Sequence, residues 1–255
     1  MDSGTLTPSR VPEVSLVFWV TKVLTTGMGE TTSDYLVHRL GPPTAVALGG
    51  IGLAVGLVLQ FRARRYLAWI YWLAVVMVSI SGTIAADVLH VQFKIPYVVS
   101  SVFFVVALTA VLCAWYASER TLSIHSIFTT RRELFYWATI LTTFALGTAV
   151  GDMTATTMHL GYFSSGLLFA VLIAVPALAY WRFRLNAILA FWLAYVVTRP
   201  LGASFADWIA APPKRGGLSV GFGLVSVVLA VVIVGFVAAQ AVSGRDRTAV
   251  PERVG

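Results

Sequence analysis

Apolar residues run along this chain in long unbroken stretches, with no strict alternation against polar ones. Eight stretches stand out, at roughly 14–38, 43–61, 66–90, 96–117, 134–159, 163–181, 186–210 and 217–241. Each approaches or exceeds the about 20 residues that a helix needs to cross a bilayer. The pattern therefore predicts eight transmembrane helices. Gly, Pro or charge marks the breaks, as in Gly41-Pro42-Pro43 and Pro212-Pro213-Lys214-Arg215. The segment 118–133 is longer and more polar. The chain thus divides into a solvated tail 1–13, a first membrane half 14–117, a connector 118–133, a second membrane half 134–241 and a second solvated tail 242–255.

Polar residues inside the runs are unevenly shared. The even-numbered helices are almost pure Val, Leu, Ala and Phe. The odd-numbered ones carry Thr, Ser, Gly and acids toward one end. Aligning them exposes a repeat: Gly29 to Asp34, Gly82 to Asp87, Gly147 to Asp152 and Gly202 to Asp207, each a Gly followed five residues later by an Asp. One such pair carries no information, but four at matching depth on alternate helices indicate internal repetition. Helices 1 and 5 also share Leu-Thr-Thr, at Leu24 to Thr26 and Leu141 to Thr143. The expected fold is all-α: four parallel two-helix repeats grouped as two pseudo-symmetric four-helix halves. Units with an even number of spans enter the membrane the same way, so the repeats are not inverted.

Composition narrows the class. Hydrophobic residues make up 58% of the 255 and charged residues only 11%, where soluble domains carry about 25% charge. A soluble fold of this length has too small an interior for that much apolar surface. The net charge of +7 does not indicate nucleic acid, because the basic residues sit in short clusters between the runs. One set holds Arg10, Arg62, Arg64, Arg65, Arg120, Arg131, Arg132, Arg182, Arg184, Arg245, Arg247 and Arg253; the other holds Arg39, Lys94, Lys214 and Arg215. By the positive-inside bias the larger set is cytoplasmic, together with both termini. Residues 1–13 show no cleavable signal pattern. A single Cys113 in an apolar run allows no intrachain disulfide.

The segments Thr25-Thr26-Gly27-Met28-Gly29-Glu30-Thr31-Thr32-Ser33-Asp34 and Gly151-Asp152-Met153-Thr154-Ala155 resemble those of a bacterial family of uncharacterised, membrane-anchored multi-span proteins. That family is built from repeats of a domain of unknown function. The resemblance covers nearly the whole chain outside the tails. It implies a multi-pass protein of the bacterial inner membrane and brings no activity with it.

Chemistry must then come from the residues. Glu30, Asp34, Asp87, Asp152 and Asp207 lie in or at the ends of spans, and Lys22 and Arg199 lie inside them. Charge within a bilayer is costly, about 2.5–3.5 kcal/mol at the centre on insertion scales, so such residues face a bundle interior or a wet cavity. Lys22, Thr26, Glu30, Asp34 and His38 recur every four residues and form one polar ridge on helix 1. Repeated Asp beside Thr and Ser oxygens suits hard cations. His38, His90 and His159, near the same end, are candidate metal ligands. The expectation is a small transporter or exporter of cations, with a divalent metal ion or a proton-coupled cation as substrate. Asp34, Asp87, Asp152 and Asp207 steer the ion, Glu30 coordinates it or exchanges a proton, and Lys22 and Arg199 balance charge. The expected partners are the lipid bilayer, a small cation and further copies of the chain. The main alternative is a membrane sensor or scaffold in which the acids are structural and the connector meets a protein. An intramembrane enzyme using paired Asp is weaker, since no His-Glu-x-x-His helix or other catalytic motif is present.

Overall fold

The computed structural model describes residues 9–63 and 65–242. Arg64, Arg245, Arg247 and Arg253 of the charge pattern lie outside the described residues, as do 1–8 and 243–255 of the expected tails. Eight long helices follow one another: α1 Leu16–Leu40, α2 Pro42–Arg62, α3 Ala68–Asp87, α4 Tyr97–Glu119, α5 Thr130–Asp152, α6 Gly161–Phe183, α7 Ala187–Ala210 and α8 Phe222–Val242. Local chemistry sets several starts. Ser15, Thr129 and Asn186 accept hydrogen bonds from the first free amides of α1, α5 and α7, the usual N-cap role. Pro42 opens α2, where its missing N–H is not needed.

The odd helices form a closed inner square. α1 packs on α3 and α7, and α5 packs on the same two. The even helices lie outside, each against the inner helix that follows it in sequence: α2 on α3, α4 on α5, α6 on α7, and α8 back on α1. Exposure follows the same division. In its most apolar stretch α5 is 67% buried and α8 only 17%. A helix that is hydrophobic all round and still exposed belongs in lipid.

Seven helices among the described residues, α2 to α8, are long and apolar enough to cross a membrane. The eighth, α1, has the length but not the apolarity. The reason is its position: Thr21, Lys22, Thr25, Thr26, Glu30, Thr31 and Ser33 are all buried against other helices. Its polar residues meet protein, so lipid-like composition is not required of it.

Three local features depart from the sequence pattern. The runs 66–90 and 134–159 are not continuous α-helix: α3 and α5 end at Asp87 and Asp152, and each passes into one turn of π-helix, Val88–Gln92 and Met153–Thr157. The last run begins five residues late, because 217–221 folds back on the end of α7. There Leu218, Val220 and Gly221 donate to the carbonyls of Trp208, Ile209 and Ala210. The expected solvated tail 1–13 also docks at its end, with Ser9, Val11 and Pro12 buried. The Arg10 amide donates to the Ile127 carbonyl and the Tyr66 amide to the Ser9 carbonyl.

Candidate functional site

The inner square is built on small residues. A Cβ on Gly29 of α1 would sit 2.5 Å from Ser79 Cβ on α3, and one on Gly82 of α3 would sit 2.8 Å from Phe144 Cβ on α5. A Cβ on Gly147 of α5 would sit 2.5 Å from Arg199 Cβ on α7, and one on Gly202 of α7 would sit 2.6 Å from the Val23 carbonyl on α1, beside Thr26. The partners Ser79, Phe144, Arg199 and Thr26 each lie three residues before the motif glycine of their own helix. The four contacts are therefore the same contact made four times around the square. Close helix approach through small residues is common in membranes. Here it also brings equivalent positions of four helices to one axis.

Steps of four residues back from each Asp, about 6 Å of rise, give successive layers. The first holds Asp34, Asp87, Asp152 and Asp207. The second holds Glu30, Thr83, Thr148 and Ala203, and the third Thr26, Ser79, Phe144 and Arg199. Arg199 fills the second layer from the third. Its Nη2 donates to Glu30 Oε2 at 2.5 Å, to Thr148 Oγ1 at 2.8 Å and to Thr83 Oγ1, the three polar members of that layer. Its Nη1 donates to the Thr26 carbonyl at 3.3 Å. Thr83 and Thr148 in turn donate to the carbonyls of Ser79 and Phe144. The Thr83 and Thr148 hydroxyls, two of the oxygens beside the repeated Asp, thus serve the guanidinium. A charge-assisted bond of this kind, out of water, is stronger than a neutral one.

Above that pair one carboxylate oxygen each from Glu30, Asp152 and Asp207 lie within 4.8 Å of one another. Asp207 is 6% exposed and its Oδ1 has no hydrogen-bond partner. Asp152 is half-buried. Asp34 and Asp87 are half-buried too and stand outside this trio. Asp87 accepts from Ser33 at 3.4 Å. Of these acids Glu30 pairs with the guanidinium.

Below Arg199 the axis turns apolar. Lys22, in the fourth layer, is fully buried. Its Nζ lies 4.1 Å from the Phe144 ring centre and 4.4 Å from that of Tyr195. The fifth layer is aromatic on every helix: Phe18, Tyr71, Tyr136 and Phe191. The Tyr71 and Tyr136 hydroxyls meet at 2.6 Å. The ridge on α1 is therefore open to solvent only at the Asp end. Lys22, Thr26 and Glu30 are buried, Asp34 is half-buried and His38 is exposed.

The three histidines do not join the acids. His38 stacks on Phe222 and contacts the Asp34 carbonyl at 2.7 Å. Both ring nitrogens of His90 are engaged, by the Ile95 carbonyl and the Ser100 hydroxyl. His159 is exposed with a φ of +57°, in the left-handed turn that Lys94 forms after the other π-turn.

Two features were not drawn from the sequence. An aromatic residue followed by Trp precedes every motif glycine at one spacing: Trp19, Trp72, Trp137 and Trp192 stand ten residues before Gly29, Gly82, Gly147 and Gly202. The signal was present as a third fixed position of the repeat. The second is Glu133, wholly buried at the start of α5, which accepts from Arg10 at 2.7 Å and from Gln60 at 2.8 Å. An isolated Gln at the end of an otherwise apolar α2 was its only trace. The connector near it is folded inward, with Ile124 and Ile127 buried and Trp192 donating to the Leu122 carbonyl.

Comparison with known proteins gives a family. A Repeat of Unknown Function (DUF347) matches four times, at residues 17–66, 70–121, 135–186 and 190–246. The matches cover most of the chain, which belongs to that family. No curated protein and no solved structure is significantly similar to it.

Proposed function

We propose that this is an eight-span transporter of small cations, and that Glu30, Asp152 and Asp207 hold a divalent ion. The observation that carries the reading is the convergence of one carboxylate oxygen each from Glu30, Asp152 and Asp207, together with an Asp207 Oδ1 that has no hydrogen-bond partner. Carboxylates brought this close repel one another unless protons or a cation lie between them. Three oxygens, with water completing the shell, suit a hard or borderline divalent ion. Arg199 supplies the opposite charge from below. It keeps Glu30 paired, which matters because an uncompensated buried charge is strongly destabilising.

The remaining features fit that role. α1 spans the bilayer as the eighth helix, screened from lipid by α3, α7 and α8. The chain is four parallel two-helix repeats in two halves. Both termini face the cytoplasm of a bacterial inner membrane, as the basic clusters direct. The Asp end then faces outward, where Asp34 and Asp87 steer cations to the trio. The aromatic layer seals the other end, so release on that side requires the inner helices to part.

Flux tests this reading. Proteoliposomes carrying the wild type are expected to move Mn²⁺ faster than empty vesicles. Glu30→Gln and Asp207→Asn are expected to lower that rate at least tenfold. Unchanged flux in both would instead favour the scaffold reading, in which the acids only brace the bundle.

A further inference from the structure

At the aromatic end of the bundle a cavity of about 630 Å³ lies between residues 14–19, the connector, the second half of α6 and the first half of α7. Short side chains make the room: Ala177 on α6 and Ala187, Ala190 and Ala194 on α7 all stand in its wall. On α6 the wall runs from Ile173 to Tyr180, and on α7 from Ala187 to Ala194. Each run rises about 10 Å, a third of the roughly 30 Å hydrocarbon layer. Leu16, Ala177 and Tyr180 in the wall are exposed, so the cavity opens sideways between helices. Its depth reaches Trp19, whose ring lies 5.5 Å from that of Phe191 in the aromatic layer.

In a bilayer such a slot takes a hydrocarbon chain. Apolar fit alone does not select one lipid over another, because the surroundings are equally apolar. Selection comes from charge, and the charge here is one-sided. Arg182 and Arg184 lie between Tyr180 and Ala187, which both line the cavity, and both arginines are exposed. Arg120 is exposed two residues before Leu122 of the wall, and His125 is itself in the wall. Among the described residues none of these three arginines is paired with a carboxylate. Two acids are near in sequence: Glu119 is already held by Arg131 and Arg132, and Glu13 is exposed beside Val14. A guanidinium matches phosphate with two parallel hydrogen bonds. Basic sites between transmembrane helices hold anionic lipid head groups in this way.

We propose that this cavity is a binding site for one anionic phospholipid. An acyl chain lies between α6 and α7 and reaches Trp19, and the phosphate sits at Arg182 and Arg184. The slot gives the chain its place and the arginines give the head group its preference. The inference does not depend on the cation reading, and either can fail without the other.

Native mass spectrometry of the purified full-length protein counts the lipid it retains. Phosphatidylglycerol and phosphatidylcholine with the same acyl chains are each titrated in detergent. Wild type is expected to retain one phosphatidylglycerol per chain, at least about fivefold more tightly than phosphatidylcholine, the effect of one basic residue beside an anionic head group. The double change Arg182→Gln, Arg184→Gln is expected to remove that preference. Ala177→Trp fills the slot from an exposed position of α6 and is expected to weaken phosphatidylglycerol to a similar degree. Inorganic phosphate is expected not to displace the lipid. Equal retention of the two lipids by wild type overturns the proposal. So does phosphatidylglycerol binding that is unchanged in either variant, or that inorganic phosphate abolishes.

Discussion

The guanidinium of Arg199 and the carboxylate of Glu30 meet at 2.5 Å although 169 positions separate them in the chain. One comes from the last inner helix and the other from the first. Their contact closes the square of α1, α3, α5 and α7 across its sequence ends. Removing Arg199 leaves Glu30 buried with no counter-charge. Arg199→Met is expected to cost about 3–5 kcal/mol of stability, the usual cost of breaking a buried pair. The double change Arg199→Met, Glu30→Gln is expected to recover a large part of it. Thermal unfolding of the four proteins of that cycle in detergent checks the coupling.

The motif glycines set how closely the inner helices approach. Gly202→Ala would press a methyl group onto the backbone carbonyl of Val23, which cannot turn aside. The expected loss is about 1–3 kcal/mol, typical of overpacking. Gly50, on the exposed side of α2, has nothing within 4 Å of an added Cβ. Gly50→Ala is therefore expected to be neutral or slightly stabilising, since alanine is the better helix former. Melting temperatures of the two variants separate close packing from general intolerance of alanine.

At the aromatic end, Arg10 ties residues 9–12 to Glu133, and Gln60 donates to both the Arg10 carbonyl and the Glu133 carboxylate. Arg10→Ala leaves Glu133 with Gln60 alone. The N-terminal segment is then expected to loosen, at a cost of about 1–3 kcal/mol for an undercompensated buried group. Faster cleavage near residue 10 by an added protease is the measurement. Glu133→Gln, which removes the charge but keeps one acceptor oxygen, is expected to loosen it less.

Much of this arrangement is legible in the sequence. The four Gly-x4-Asp pairs marked the inner helices, because intramembrane acids must face away from lipid. The dense Thr and Ser content of α1 pointed the same way. What sequence order does not encode is which helices become neighbours. Arg199 read as a loose counter-charge, and only the square placed it among Glu30, Thr83 and Thr148. Thr83 and Thr148 read as oxygens free for a cation because sequence order does not show the guanidinium that uses them. The histidines looked like ligands by spacing alone, yet His38 and His90 are spent on Phe222, Ile95 and Ser100. Glu133 went unnoticed because its partners, Arg10 and Gln60, lie 123 and 73 positions away. Its position beside a polar connector looked solvated.

A bound ion stabilises whatever conformation holds it. At a free concentration 100 times its dissociation constant, the gain is about 2.7 kcal/mol. Adding MnCl₂ to chelator-treated protein is therefore expected to raise the melting temperature, and excess chelator to reverse the rise. Asp152→Asn is expected to abolish most of that shift. His159→Ala is expected to leave it intact, since His159 stands outside the trio.

The most direct test is the number of Mn²⁺ ions bound per chain at equilibrium dialysis. The account predicts one ion per wild-type chain, none in the triple variant Glu30→Gln, Asp152→Asn, Asp207→Asn, and one with only modestly weakened affinity in Asp34→Asn. A triple variant that folds and still binds one ion, or a wild type that binds none, would contradict it.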